Sequence, residues 1–390
     1  MTSRQRLLCA LERRVPDRLP VTTHHLMPSF LETLPGKPTP LEFFDRFGLD
    51  AVCWLNVNAP DPGCGQYFDP DHTPGEYEAR RIVTECWRIE AEDVPDRWYR
   101  TVRYAIHTPR ATLTTVLQSD AYTTWVAERL VKNKSDIDVI AEYMPPLVCD
   151  VEAVNRRAAS FGERGIVRGT VPGFDVYGQP GCWQDAAVLV GIERLILSVY
   201  DDPDWVRRLL AVLEKRKRTW VSSLAGARYD LIELGGGDAS STVISPGIFE
   251  EFVAPYDASL IEEAHKAGMR VVYHICGGIM PLLDLLVAMK PDALETFTPS
   301  AMGGDADLGA AKKKIGGAVC MIGGFDQVHF FTGVDPERTR AEVRRCFEEA
   351  GEGGGYILAP SDHFFEAEIP LLEAYADEAR ACVYHPAGEG

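Results

Sequence analysis

The stretch Val271-Val272-Tyr273-His274-Ile275-Cys276-Gly277-Gly278 decides how this chain is read. An apolar, β-branched run ends in His-x-Cys and then turns on two glycines. Side chains alternate faces along a strand, so His274 and Cys276 point the same way, roughly 6–7 Å apart at Cα. One metal ion bridges such a gap, and imidazole with thiolate suits Zn²⁺ best.

Outward from this strand, apolar strand patterns alternate with helix patterns. Leu19 to His25, Asp50 to Leu55, Ile166 to Val171 and Leu231 to Gly235 precede it as strands. Ala293 to Phe297, Ala318 to Ile322 and Tyr356 to Ala359 follow it. Helical periodicity opens the chain (Ser3 as cap; Leu7, Leu8, Leu11 and Val15 on one face) and recurs over Leu41–Phe47, Cys182–Tyr200, Pro203–Leu224 and Pro246–Ala267. Later helices are expected over Pro281–Met289, Ala306–Ile315, Pro336–Ala350 and Pro370–Val383, with Pro386–Gly390 as a frayed tail. Eight short strands separated by helices predict an α/β fold, a (β/α)₈ TIM-type barrel. An open doubly wound sheet is the rival, but no GxGxxG follows the first strand. From about Tyr77 to Val131 the pattern changes to alternating stretches such as Arg81–Trp87 and Thr101–Ile106. These predict an inserted antiparallel segment after strand two, either a lid or dimer surface or a surface hairpin. Residues 1–390 thus read as a single barrel domain.

Bulk composition narrows the function. Of 390 residues, 46% are hydrophobic, enough for a large core. Lys and Arg number 40 against 58 Asp and Glu, a net charge of −18, which argues against nucleic acid and anionic membranes as partners. The opening residues read as a charged amphipathic helix rather than a secretory signal, and no apolar run approaches the roughly 20 residues of a membrane span. The ten cysteines are scattered without a CxxC pair, so a cytoplasmic protein with free thiols is expected.

In a barrel of this kind, chemistry sits at the C-terminal ends of the strands. His24 and His25 end the first strand, and Tyr177 follows the third. Asp238 follows the fourth, and His274 with Cys276 ends the fifth. Glu295 lies in the sixth, Asp326 follows the seventh, and Asp362, His363 and Phe364 follow the eighth. At most one of His24 and His25 is expected to face the lumen, since neighbours alternate. Glu233 and Glu295 lie inside apolar strands, where a carboxylate needs a partner; an ion pair with Arg168 and a catalytic role both fit. A catalytic zinc takes three protein ligands and keeps one open position, so the third ligand is sought in Asp362 or His363. Glu295 and Asp238 are the candidate catalytic groups, and His24, Tyr177, Asp326 and Phe364 the candidate substrate contacts.

With these residues in view, the chain resembles the uroporphyrinogen decarboxylase superfamily nearly end to end. The resemblance is carried by Ser3–Leu8, Pro16–Val21, Ile244-Ser245-Pro246 with Pro255-Tyr256, His274-Ile275-Cys276-Gly277, Met321–Asp326 and Gly354–Pro360. It implies the (β/α)₈ barrel. The metal-free decarboxylases carry an arginine-rich segment after strand one and a Phe-Ser-Asp segment after strand two. Here Thr22–Pro28 has no arginine, and Trp54–Asn58 replaces the acidic segment. The other branch consists of zinc-dependent methyltransferases acting between corrinoid proteins and thiols, methoxylated compounds or methylamines. Its His-x-Cys matches His274 and Cys276, but its distant cysteine is replaced here by Pro360-Ser361-Asp362-His363. A nitrogen or oxygen ligand in place of a thiolate hardens the ion and favours an oxygen-bound substrate. The resemblance therefore implies a zinc-dependent methyltransferase that moves a methyl group between a small methylated, methoxy-type substrate and a corrinoid on a partner protein, with a homodimer as the assembly. A cofactor-free decarboxylase and a non-catalytic ligand-binding barrel are the alternatives.

Overall fold

A computed structural model of the chain describes residues 1–75 and 77–384. The expected tail, Pro386–Gly390, lies outside the described residues. Strand β1 (Ala51–Trp54) opens a parallel sheet. Four antiparallel strands follow it in the chain: β2 (Arg88–Asp93), β3 (Arg100–His107), β4 (Thr112–Ser119) and β5 (Thr124–Glu128). The parallel sheet then resumes with β6 (Gly165–Thr170), β7 (Leu231–Gly235), β8 (Val271–His274), β9 (Ala293–Thr296), β10 (Cys320–Phe325) and β11 (Tyr356–Pro360). Its seven strands run in the order β1-β6-β7-β8-β9-β10-β11, every neighbouring pair parallel. Every residue of β7, β9, β10 and β11 is buried, because helices cover one face and the lumen fills the other. The fold is α/β with a curled parallel sheet, consistent with a TIM-like architecture.

The expected first strand, Leu19 to His25, is reduced to a single bridge between Val21 and Leu358. Pro20 has no N–H to give. The Val21 N–H is taken by the Asp50 carboxylate (3.0 Å) rather than by a strand. The segment still touches both sheet edges: Leu358 donates to the Pro20 carbonyl (2.9 Å), and Asp50 donates to the Val21 carbonyl (2.7 Å).

Two helices also differ from expectation. Cys182–Tyr200 is broken into Cys182–Val190 and Ile192–Asp201, because Gly191 turns the chain at φ +96°. Pro246–Ala267 carries a π-turn over Phe249–Val253. Pro255 lacks the N–H that a regular turn would direct at Glu251, and the wider turn absorbs the loss.

Aromatic side chains help hold the antiparallel sheet to the barrel rim. Tyr177 donates its hydroxyl to the Thr124 carbonyl on β5 (2.8 Å). Tyr122, in the β4–β5 turn, meets Phe365 edge-on at 5.5 Å, and Phe365 in turn meets His363 at 5.3 Å. Of the expected alternating stretches, Ile82–Val83 pairs separately with Tyr67–Phe68, and Thr101–Ile106 lies within β3.

Candidate functional site

Parallel register places three strand ends side by side: Gly235 faces His274 across β7 and β8, and His274 faces Glu295 across β8 and β9. His274 directs Nδ1 at Glu295 Oε1, 2.9 Å away, which leaves Nε2 for the rim. Donor atoms of His274, Cys276 and Asp362 all lie within 4.8 Å of one another. Glycines make the room. A Cβ on Gly237 would stand 2.5 Å from the Cys276 sulfur, and Gly277 turns at φ +105° immediately after it. Beyond Glu295 the backbone is strained, with φ +90° at Thr296 and +47° at Phe297. The Thr296 hydroxyl anchors that turn on the Ile275 carbonyl (2.6 Å).

A second cluster lies deeper. His24, Glu233, His274 and Glu295 also bring ligand atoms within 4.8 Å of one another. Here the cation is already present. Arg168, rising from β6, bonds Glu295 Oε2 (2.8 Å) and Glu233 Oε2 (2.7 Å), and its second amino group also reaches Glu295 Oε1. The guanidinium lies over the Trp54 ring at 4.2 Å.

The electrostatics follow from these partners. Burial acts to raise the Glu295 pKa, but Arg168, His24 and His274 outweigh it and hold the carboxylate well below its usual range. For Glu233, burial wins against Arg168 and the pKa rises. Burial acts to lower the His274 pKa, yet its hydrogen bonds to Cys276 and Glu295 prevail and hold it well above 6.5. His24 has no such compensation; burial pushes it down to about 3, against the pull of Glu295. Burial would raise Asp362, but the hydrogen bond from His363 and the nearby His274 keep it low.

The structure thus gathers His274, Cys276, Asp362, Glu295 and His24. The His24 ring stacks on His274 at 5.1 Å. His363 sits behind Asp362: its backbone N–H (2.7 Å) and Nδ1 (2.8 Å) both meet Asp362 Oδ1. Asp238 is in neither cluster, and burial raises its pKa. Tyr177 lines a cavity that Glu233 of the deeper cluster also lines. Two expected substrate contacts are engaged elsewhere. Asp326 caps the short helix Gln327–Phe330 through the His329 N–H (3.0 Å), and Phe364 is buried between Phe30 and Phe331, each 5.0 Å away. The Glu295–Arg168 pair, one of the two readings open from sequence, is present, and Glu233 shares the same guanidinium.

The donor set fits zinc. Two anionic donors and one imidazole converge, the imidazole is backed by a carboxylate on its other nitrogen, and three protein ligands leave a position open. The raised pKa of His274 fits as well, since a divalent ion at Nε2 takes the place of a proton there.

Known proteins agree with this architecture. The chain is 16% identical to a methyltransferase from Methanosarcina mazei of known structure, with a TM-score of 0.60 over 97% of this chain and 98% of that one. It is 28% identical over 170 residues to the uroporphyrinogen decarboxylase of Bordetella pertussis, covering 41% of this chain and 44% of that protein. With the uroporphyrinogen decarboxylase of Cellvibrio japonicus it shares 24% over 247 residues, 59% of this chain and 63% of that protein. The chain thus matches less than two thirds of the length of either relative. The profile of the uroporphyrinogen decarboxylase (URO-D) family matches residues 175–369, the half that carries β7 to β11 and His274, Cys276 and Asp362, with His24 and Arg168 of the deeper cluster outside it. On that match the chain belongs to the uroporphyrinogen decarboxylase family.

Proposed function

We propose that this chain, as one domain over residues 1–390, is a zinc-dependent methyltransferase. It moves a methyl group between a small methoxy-type substrate and a corrinoid carried on a separate protein. One observation carries the reading: His274, Cys276 and Asp362 converge within 4.8 Å, with Glu295 behind the imidazole. When bound, zinc supplies Lewis acidity toward an oxygen of the substrate. The chain's own residues do the rest. Cys276 and Asp362 balance the charge of a divalent ion. Glu295, fixed by Arg168, is the positioning residue that holds His274 Nδ1 and turns Nε2 to the rim. His363 braces Asp362. The mixed sulfur, nitrogen and oxygen donors favour an oxygen-bound substrate over a thiol.

Tyr177 lines the cavity next to Glu233, and we assign it, with His24 and Asp238, to the substrate side. Among the described residues no helix is long and apolar enough to cross a membrane. A reducing cytoplasm, a corrinoid carrier and a homodimer complete the proposal. The test is the metal content of the purified protein by mass spectrometry, followed by methyl transfer from 2-methoxyphenol to reduced cobalamin, read from the cobalt absorbance. Stoichiometric zinc and chelator-sensitive transfer are expected. Metal-free protein under zinc-replete conditions, or chelator-indifferent turnover, moves the assignment to a cofactor-free decarboxylase, the activity named for the Bordetella and Cellvibrio relatives.

A further inference from the structure

A cavity of about 720 Å³ lies between the barrel mouth and the antiparallel sheet. That size suits a ligand of drug-like dimensions. His25 and Glu233 line its barrel end, and Val102, Tyr104 and Leu117 of β3 and β4 line the opposite wall. Glu233 is the residue common to this cavity and the deeper ionisable cluster, so the cavity opens beside the Arg168 network, which shares His274 with the metal-capable group.

The buried charges that line it are already paired. Arg81 holds Asp69 (3.2 Å), Asp175 is bonded by Arg216, and Glu233 is held by Arg168 (2.7 Å). A charged ligand would find no complementary buried charge among these groups. What remains unmatched is neutral and polar. Among the described residues, His25 Nε2 and Trp54 Nε1 are buried without a hydrogen-bond partner. The two rings touch edge-on, with centroids 3.7 Å apart at 72°, and His25 stacks in parallel on both Tyr77 (4.7 Å, 10°) and His24 (4.6 Å, 20°). Two unsatisfied nitrogens on touching rings mark a place where a polar group belongs, because a buried donor without a partner is costly. A hydroxyl suits both, since it accepts from an indole N–H and either donates to or accepts from an imidazole. Tyr104, Phe174 and Tyr177 also line the cavity, and such rings favour a flat partner, which stacks at little entropic cost.

We propose that this cavity binds an uncharged hydroxylated aromatic compound, oriented by a hydrogen bond between its hydroxyl and His25 Nε2. That the compound is the methyl-bearing substrate rests on the methyltransferase reading; the binding itself does not.

Isothermal titration calorimetry with phenol, methoxybenzene and 2-methoxyphenol tests it. The hydroxylated probes are expected to bind the parent protein. His25→Phe, which keeps an aromatic ring and deletes both nitrogens, should weaken them about tenfold or more. Methoxybenzene should bind weakly and equally to both. Val102→Trp, which fills the cavity from the sheet side, should abolish binding of all three while zinc content stays unchanged, and it carries the test if His25→Phe fails to fold. Absence of heat with both hydroxylated probes, or equal affinities in parent and His25→Phe, overturns the proposal. Methyl transfer is read separately. His25-dependent binding without transfer to cobalamin removes the methyltransferase reading and leaves this site standing.

Discussion

The two ionisable clusters at the barrel mouth share His274 and differ in one respect. The deeper one, His24, Glu233 and Glu295 around Arg168, contains its own cation. The outer one, His274, Cys276 and Asp362, contains two potential anions and no cation beyond a proton on His274. Similar donor atoms at similar spacing therefore have opposite requirements. The inner group is a finished ion network, and the outer group is completed by an external cation. Proximity of ligand atoms alone does not distinguish a metal site; the guanidinium does.

The largest effect expected from breaking this contrast is at Arg168. Arg168→Met removes the internal cation and leaves two buried carboxylates uncompensated. Truncating one side of such a network costs about 3–5 kcal/mol. The midpoint of urea unfolding should fall accordingly, in the metal-free protein as well as the loaded one. A change below about 1 kcal/mol would place Arg168 in the class of exposed ion pairs and dissolve the distinction.

Cys276→Ala acts on the other cluster and should leave stability of the metal-free protein nearly unchanged, since the thiol is half-buried at the rim. Zinc should no longer copurify, because two of three protein ligands do not hold a catalytic ion. Asp362→Ala should act alike, whereas His363→Ala should only weaken retention, since His363 braces Asp362 from behind. Equal loss in both would identify His363 as a ligand in its own right.

Glu295→Gln tests the seam between the clusters. It keeps the shape but weakens the hold on His274 Nδ1. Loss of such a supporting carboxylate typically costs 10–100-fold in metal affinity, measurable by competition with a chromogenic chelator. Unchanged affinity would show that the two clusters share a residue but no function.

Much of this was legible in the sequence for physical reasons. Strands β7, β9, β10 and β11 are buried on both faces and therefore read as short apolar runs. His274 and Cys276 were legible because alternation alone aligns them. That Glu233 and Glu295 needed partners also followed from burial, but their convergence on one guanidinium joins residues 127 apart and depends on the curl of the parallel sheet. The first strand was less legible: Pro20 and the Asp50 carboxylate take away the hydrogen bonds that its apolar pattern promised. The break at Gly191 was masked by good helix formers on either side. The unmatched nitrogens of His25 and Trp54 carry no sequence signal, because satisfaction is a property of the three-dimensional surroundings.

The smallest effect concerns acid stability and bears on the inner cluster. His24 is buried beside Arg168, so its folded-state pKa is about 3 against 6.5 for an unhindered imidazole. Between these values the unfolded chain binds a proton at this residue and the folded one does not. Stability contributed by His24 is therefore complete above pH 6.5 and declines as pH falls toward 3, at up to about 1.4 kcal/mol per pH unit. His24→Asn removes that proton from the balance. Urea midpoints followed from pH 7 to pH 4 should fall less steeply in His24→Asn than in the parent, by about one proton's worth of slope. Parallel curves would mean that His24 is protonated in the folded protein, and that Arg168 does not saturate the carboxylates around it. In that case the inner cluster would have charge to spare, and it too would become a candidate for a metal ion.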